Sequence, residues 1–198
     1  MFNDPYGWFP NQLFTNLLPI LFFAVYIVDY IVPRLANPNA PQKPTIKNDR
    51  GSHLVIIVVI FLAISLSVYF RIQNIGTLTG IFQWLGLLLM IAGTIFRQWA
   101  LINLGRFFSR NVQIESGHQV ITTGPYRWIR HPAYTGMILI YTGMIMALGT
   151  WLGALLTFAL VTGCLLYRIR VEEQTLLTAL GNEYREYMKR TWLLFPGW

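Results

Sequence analysis

The sequence predicts an all-α protein, a polytopic helical bundle spanning a membrane, and two observations carry that expectation. Hydrophobic residues make up 55% of the 198 residues and charged residues only 12%, about half the ~25% of an average soluble domain. So few charges cannot cover a water-soluble surface. The fifteen Lys and Arg and the eight Asp and Glu are also clustered, which leaves long stretches with no charge at all.

Crossing the hydrocarbon core takes about 20 apolar residues, with roughly 17 as the lower limit. Five segments fit. The first covers residues 13–32 and is broken only by Asp29; the second covers 54–70 and the third 75–96. The fourth and fifth, 133–148 and 151–167, are short and nearly contiguous. They read as a tight antiparallel hairpin turned at Gly149-Thr150. All five are apolar all round, which surface helices are not.

The loops set the orientation. Arg34, Lys43, Lys47 and Arg50 fall between spans one and two, and Arg97, Arg106, Arg110, Arg127 and Arg130 between or bordering spans three and four. Arg168, Arg170, Arg185, Lys189 and Arg190 follow span five. With five spans every basic residue except Arg71 lies on one face. Positive loops stay cytoplasmic, so the N-terminus is expected outside and the C-terminus in the cytoplasm. Trp8, Trp151 and Trp198 sit where interfacial rings anchor.

Other function classes recede on composition. The net charge of +7 borders apolar spans, so it is read as facing anionic membrane lipids, and no nucleic acid partner is expected. No cleavable signal peptide is expected, since the first residues lack a basic region. Cys164 is the only cysteine, so no intrachain disulfide is possible, and it reads as a small buried hydrophobe. His53, His118 and His131 lack metal-ligand spacing, and no metal is expected. The chain reads as one integral membrane domain, residues 1–198, with spans in 1–104 and the chemistry in 105–198.

Two stretches on the basic side exceed what an anchor needs. In Arg130-His131-Pro132, the residue before proline avoids the helical region and proline suits a first turn. The fourth helix should therefore begin at Pro132, with His131 at its entry. Free amides and the dipole at such a start suit a carboxylate or phosphate, beside Arg127 and Arg130; the two arginines read equally as positive-inside anchors. After span five, Leu176, Leu177, Leu180, Tyr184, Tyr187 and Met188 recur at helical spacing. They predict an amphipathic C-terminal helix beneath the bundle, weakened at Gly181. Arg168 and Glu172 share a helix face at the membrane boundary, with Glu173 beside them. Ionisable groups at that depth are costly and often functional, although a purely structural pair fits as well. Asp29 either lines a substrate path or reaches water from near the end of its span; the second is the simpler reading.

Gly124-Pro125-Tyr126, Arg130-His131-Pro132-x-Tyr134-x-Gly136 and the later Arg168-x-x-x-Glu172-Glu173, Leu180-Gly181-x-x-Tyr184-x-x-Tyr187 and Arg190 resemble the isoprenylcysteine carboxyl methyltransferase family. Related phospholipid methyltransferases are similar over the same region, about residues 105–196. The resemblance implies S-adenosyl-L-methionine as cofactor, in a cytoplasmic pocket. It places cofactor contacts at Gln113, His118, Gln119, Val120, Ile121, Tyr126, His131, Pro132, Ala133, Tyr134 and Glu172. The implied catalytic residues are Arg168, Glu172 and Arg130, with Arg168 near the methyl acceptor. The implied acceptor is lipidic or prenylated. This chain has only Glu172-Glu173 where eukaryotic members have a longer acidic run, which bears on acceptor choice. Three alternatives stand beside carboxyl O-methylation: phospholipid N-methylation, NADPH-dependent reduction of a small lipid, and a non-enzymatic scaffold.

Overall fold

Each apolar run forms a helix, and each helix stops where the sequence supplies a breaker. The computed structural model describes residues 7, 9–36, 46–47, 52–105, 113–114 and 120–197. In chain order the elements are α1 (Gln12–Ala36), β1 (Ile46–Lys47), α2 (Ser52–Ile72), α3 (Ile81–Leu104), β2 (Gln113–Ile114), α4 (Pro132–Leu148), α5 (Trp151–Leu180) and α6 (Asn182–Arg190). A 3₁₀ turn, Gly124–Arg127, precedes α4. Among the described residues, the regular structure is all-helical apart from the two-residue β1–β2 pair.

Four helices, α1, α2, α3 and α5, are long and apolar enough to cross a membrane. The fifth, α4, has 17 residues, about 25 Å at 1.5 Å per residue. Its ends nonetheless lie at opposite ends of the bundle. At one end Leu78 N donates to Gly149 O and Trp151 N to Gly76 O, both at 2.8 Å, joining the α2–α3 and α4–α5 connections. At the other, β1 pairs antiparallel with β2, Ile46 opposite Ile114, joining the two long connections. The buried Arg71 closes α2 at the first end, and Arg34, Arg127, Arg130 and Arg190 lie towards the second.

Three boundaries differ from the sequence reading. The third helix starts at Ile81 rather than 75, because Gly76 and Gly80 take φ 61° and 60°, positive values that interrupt a helix. The fifth helix does not stop at 167 but runs unbroken for 30 residues, about 45 Å. An apolar layer of about 30 Å accounts for its first two-thirds, so the last third, from about Val171, projects out of the layer, with Arg168 near its edge. Gly181, at φ 57°, then breaks the expected amphipathic helix, leaving α6 as a separate short piece. The hairpin turn is where the sequence places it. Gly149 closes α4 in the left-handed conformation at φ 89°, and the Thr150 hydroxyl caps α5 by accepting from Gly153 N at 3.2 Å.

The centre of the bundle is the α3–α4 crossing, built on glycines seven residues apart. Gly86 and Gly93 on α3 face Gly143 and Gly136 on α4. A Cβ on Gly143 would lie 2.6 Å from Met90 N, and one on Gly136 would lie 2.5 Å from Arg97 Cβ. No side chain fits, so the two backbones pack in contact, as small-residue interfaces allow in membranes. Around this crossing sit two apolar clusters. One holds Phe14, Leu87, Met90, Met144 and Ile145; the other holds Ile56, Ile138, Val161, Leu165, Ile169 and Leu194. Large exposed apolar residues such as Phe23, Tyr26, Phe61 and Leu155 cover the outer faces, as lipid contact requires. The chain is an integral membrane protein.

Candidate active site

Arg130, His131, Tyr134, Arg168, Glu172 and Glu173 come together where α4 begins and α5 leaves the apolar layer. Helix α4 starts at Pro132 with His131 at its N-cap, φ −124° and ψ 56°. Proline fixes both facts: it suits a first turn, and it keeps the residue before it out of the helix. Thereafter α4 presents Tyr134 and α5 presents Arg168, Glu172 and Glu173.

Tyr134 links the two α5 charges. Arg168 Nε donates to the Tyr134 hydroxyl at 2.7 Å, and that hydroxyl donates to Glu172 Oε2 at 2.7 Å. Arg168 and Glu172, which share one face of α5, are thus joined through a phenol from the neighbouring helix. Arg168 is buried, whereas Glu172 and Tyr134 are half-buried. The Tyr134 ring stacks on His131, centroids 5.7 Å apart and planes within 15°, and the Arg168 guanidinium lies 6.0 Å from its other contact, the ring centroid. The hydroxyl is therefore held in one direction.

Arg130 and Glu173 make a second linkage. Arg130 Nε donates to Glu173 Oε1 at 2.9 Å, and His131 Nε2 lies 3.2 Å from the same oxygen. Arg130 Nη1 donates to the carbonyls of Met188 at 2.9 Å and Thr191 at 2.5 Å. This guanidinium, expected to be catalytic, ties α5 and the end of α6 to the start of α4.

Behind it runs the segment after α6, which the sequence reading did not single out. Arg130 N donates to Trp192 O at 2.8 Å and His131 N to Leu193 O at 3.2 Å, while Trp192 N donates to Trp128 O at 2.9 Å. The Thr135 hydroxyl donates to Leu194 O at 2.6 Å, and Leu194 is fully buried. These bonds change one expectation. The start of α4 is not an open row of amides: those of Arg130 and His131 hold the C-terminal segment, and those of Tyr134 and Thr135 bond to His131 O. Pro132 has no amide hydrogen. Most of the amides around the helix start are thus engaged.

Tyr126 lies in the 3₁₀ turn, 6% exposed, and its carbonyl accepts from the Tyr187 hydroxyl at 2.7 Å. Burial, and after it the charge of Glu172, push the Tyr126 phenol well above its ordinary value; burial does the same at Tyr184. Both stay neutral, so they shape the site rather than exchange protons there.

Of the remaining expected contacts, Pro132 is buried and Ala133, Val120 and Ile121 are half-buried along the approach to α4. The Gln113 backbone lies in β2, but its side chain, like all of His118 and Gln119, lies outside the described residues. Arg127 and Arg190 are not brought in. Arg127 is exposed with its guanidinium 6.0 Å from the Trp128 ring, and Arg190 is exposed and bonds Glu186 O at 3.3 Å. Among the described residues, no group of three or more His, Cys, Asp or Glu gathers as metal ligands would.

What the sequence reading missed is tertiary. Asp29 does not simply reach water: Arg97 Nε and Nη2 donate to its two oxygens at 2.6 and 3.1 Å. An acid in one apolar span and an arginine in another are the visible signal for such a pair. The glycines' seven-residue spacing was a second usable signal, since it marks one face of each helix.

Comparison with known proteins identifies the family. Residues 84–178 match the isoprenylcysteine carboxyl methyltransferase (ICMT) family. Protein-S-isoprenylcysteine O-methyltransferase B of Arabidopsis thaliana is 33% identical over 187 residues, covering 91% of this chain and 90% of that one. The Saccharomyces cerevisiae protein-S-isoprenylcysteine O-methyltransferase is 28% identical, covering 96% and 83%. Similarity thus reaches well before residue 105, where the motif resemblance began. The solved eukaryotic intramembrane Ras methyltransferase ICMT shares the fold, with a TM-score of 0.64 over 94% of this chain and 67% of that one at 23% identity. The chain belongs to the isoprenylcysteine carboxyl methyltransferase family of membrane methyltransferases.

Proposed function

We propose that this protein methylates the free carboxylate of an isoprenylated cysteine, using S-adenosyl-L-methionine, at the basic end of the bundle. The observation that carries the reading is the Tyr134 hydroxyl between Arg168 and Glu172. It sets a cationic and an anionic group side by side where α5 leaves the apolar layer. A lipid-borne anion and a soluble cation can meet there.

The donor set fits the cofactor's chemistry. When bound, S-adenosyl-L-methionine supplies a methyl group already activated on a sulfonium. Glu172 is the counter-charge for an ammonium or sulfonium. Gln113, His118, Gln119, Val120, Ile121 and the run His131, Pro132, Ala133, Tyr134 form the remaining proposed contacts, with Tyr126 supporting them from below. Arg168 holds the acceptor carboxylate in line, and Arg130 serves as the strut that keeps α4 and α5 in register. A carboxylate acceptor is already a nucleophile and needs no general base. Positioning can then supply most of the rate, up to ~7–11 kcal/mol for well-oriented reactants.

The acceptor's tail has an apolar path. On α4 the residues Tyr134, Met137, Tyr141, Met144 and Leu148 recur at alternating spacings of three and four, so they share one face. That face runs about 21 Å from the hydroxyl at Tyr134 to a cavity of about 400 Å³ lined by Phe9, Thr15, Leu18, Pro19, Phe22, Ile64, Met144 and Leu148. We assign this face to the isoprenoid. The spans orient with the N-terminus outside and the active face in the cytoplasm, since the basic loops share that end.

Calorimetry with S-adenosylhomocysteine on the detergent-purified protein tests the assignment. Glu172→Ala should lose binding, while Arg168→Ala should bind but turn over at least tenfold more slowly. Full binding by the Glu172 variant would reverse the roles, and no binding by the wild type would end the proposal. Phospholipid N-methylation is the second reading, on the ground that Glu172 and Glu173 offer bases an amine acceptor would need.

A further inference from the structure

Helix α1 lines the outer cavity but, among the described residues, adds no side chain to the polar cluster around Tyr134, yet it reaches that cluster through an ion pair. Asp29 lies in the apolar α1 and Arg97 in the apolar α3, a depth at which charges are costly and usually retained for function. The carboxylate takes two of the three guanidinium nitrogens, Nε at 2.6 Å and Nη2 at 3.1 Å. Gln98 Nε2 adds a third donor to Asp29 Oδ1 at 3.2 Å. The remaining nitrogen, Nη1, donates to the Ala133 carbonyl at 2.8 Å. Ala133 is in the first turn of α4, between His131 and the residue whose hydroxyl joins Arg168 to Glu172.

The backbone explains how Arg97 gets there. Gly136 leaves no room for a side chain against Arg97, so α3 and α4 touch at that level. A guanidinium is planar and presents its donors in a fixed fork. With Asp29 gripping one edge, Nη1 has a single direction, onto the Ala133 carbonyl. Without that grip the side chain could swing to other rotamers and release the turn.

We infer that Asp29 and Arg97 are positioning residues of the methyl-transfer site: Asp29 aims Arg97, and Arg97 holds the first α4 turn so that Tyr134 stays in register with α5. The kinetic consequence rests on the methyl-transfer reading; the structural consequence does not. A misplacement of about 1 Å in such a support can cost roughly 100-fold in rate.

The test uses the full-length protein in proteoliposomes with two readouts. One is kcat and KM for a farnesylated cysteine, and the other is hydrogen–deuterium exchange of the peptide covering the start of α4. Asp29→Ala should lower kcat about 10- to 100-fold with KM changed less than about threefold. It should raise exchange at residues 133–137 but not in the middle of α5. Asp29→Glu should recover most of the rate. The decisive variant is the exchange of charges, Asp29→Arg with Arg97→Asp. It can restore the pair and thermal stability, but an aspartate at 97 cannot donate to the Ala133 carbonyl, so kcat and protection should stay low. If the double variant regains kcat along with stability, the pair only fastens α1 to α3 and the inference is wrong. Unchanged kcat and exchange in Asp29→Ala would overturn it as well. Should Asp29→Ala not fold, Asp29→Asn carries the same expectations in weaker form. If the wild type transfers no methyl group, that reading falls and the exchange data alone decide the inference.

Discussion

Replacing Tyr134 with phenylalanine removes one oxygen atom and the link between the two α5 charges. The hydroxyl makes two hydrogen bonds of 2.7 Å, accepting from Arg168 and donating to Glu172. A hydrogen bond involving a charged group contributes ~1.5–3 kcal/mol. Arg168 and Glu172 are four residues apart on one helix, so they can close directly on each other once the oxygen is gone. That rearrangement recovers part of the loss, and we expect about one bond's worth to remain. The consequence is a fall in kcat/KM of roughly 10- to 100-fold. The ring, its stacking on His131 and the fold should persist, so unfolding temperature should change little. The assay is methyl transfer to a farnesylated cysteine in proteoliposomes, with wild type and variant at equal protein-to-lipid ratio. A variant within twofold of wild-type kcat/KM would refute the claim that this hydroxyl aligns the site.

Three further expectations follow from packing. Gly143→Leu forces a side chain into the space 2.6 Å from Met90 N, and overpacking of this kind costs about 1–3 kcal/mol; thermal unfolding in detergent should show a lowered midpoint, or no folded protein. Arg130→Lys cannot reproduce bonds to Glu173, Met188 and Thr191 together, because an ammonium lacks the planar fork; limited proteolysis should find the segment after α6 cut faster than in wild type. Met144→Trp fills the outer cavity, so turnover of a geranylgeranylated acceptor should fall more than that of a farnesylated one, measured as a ratio of kcat/KM values.

Much of this architecture is legible in the sequence because a bilayer leaves few options. Every backbone polar group must be satisfied within the span, so apolar runs became helices, and Gly149-Thr150 and Pro132 set their ends where local chemistry demanded. The same local chemistry located Arg168, Glu172 and His131 on facing elements. What it could not supply was partnership across helices. Arg168 and Glu172 four apart suggest a direct pair, and only the approach of α4 puts a phenol between them. Arg130 reads as a membrane anchor or an anion-binding cation until the chain after α6 returns to place two carbonyls on its guanidinium. Asp29 reads as a stray acid until α3 brings Arg97 beside it. The length of α5 was missed for a related reason. Its apolar stretch ends at 167, but its helical hydrogen bonding continues to Leu180 because the emerging turns pack against α4 and the C-terminal segment.

The chemistry of the transferred methyl group tests the account most directly. Proteoliposomes holding the wild-type protein are supplied with radiolabelled S-adenosyl-L-methionine and an N-acetylated farnesylcysteine, and the products are treated with base. A carboxyl methyl ester hydrolyses and releases its label as volatile methanol, whereas a methylated amine keeps it. Carboxyl methylation at this site should give volatile label that depends on the farnesylcysteine and disappears with Glu172→Ala. Label that stays non-volatile after base, as an N-methyl group would, or no transfer at all, would contradict it.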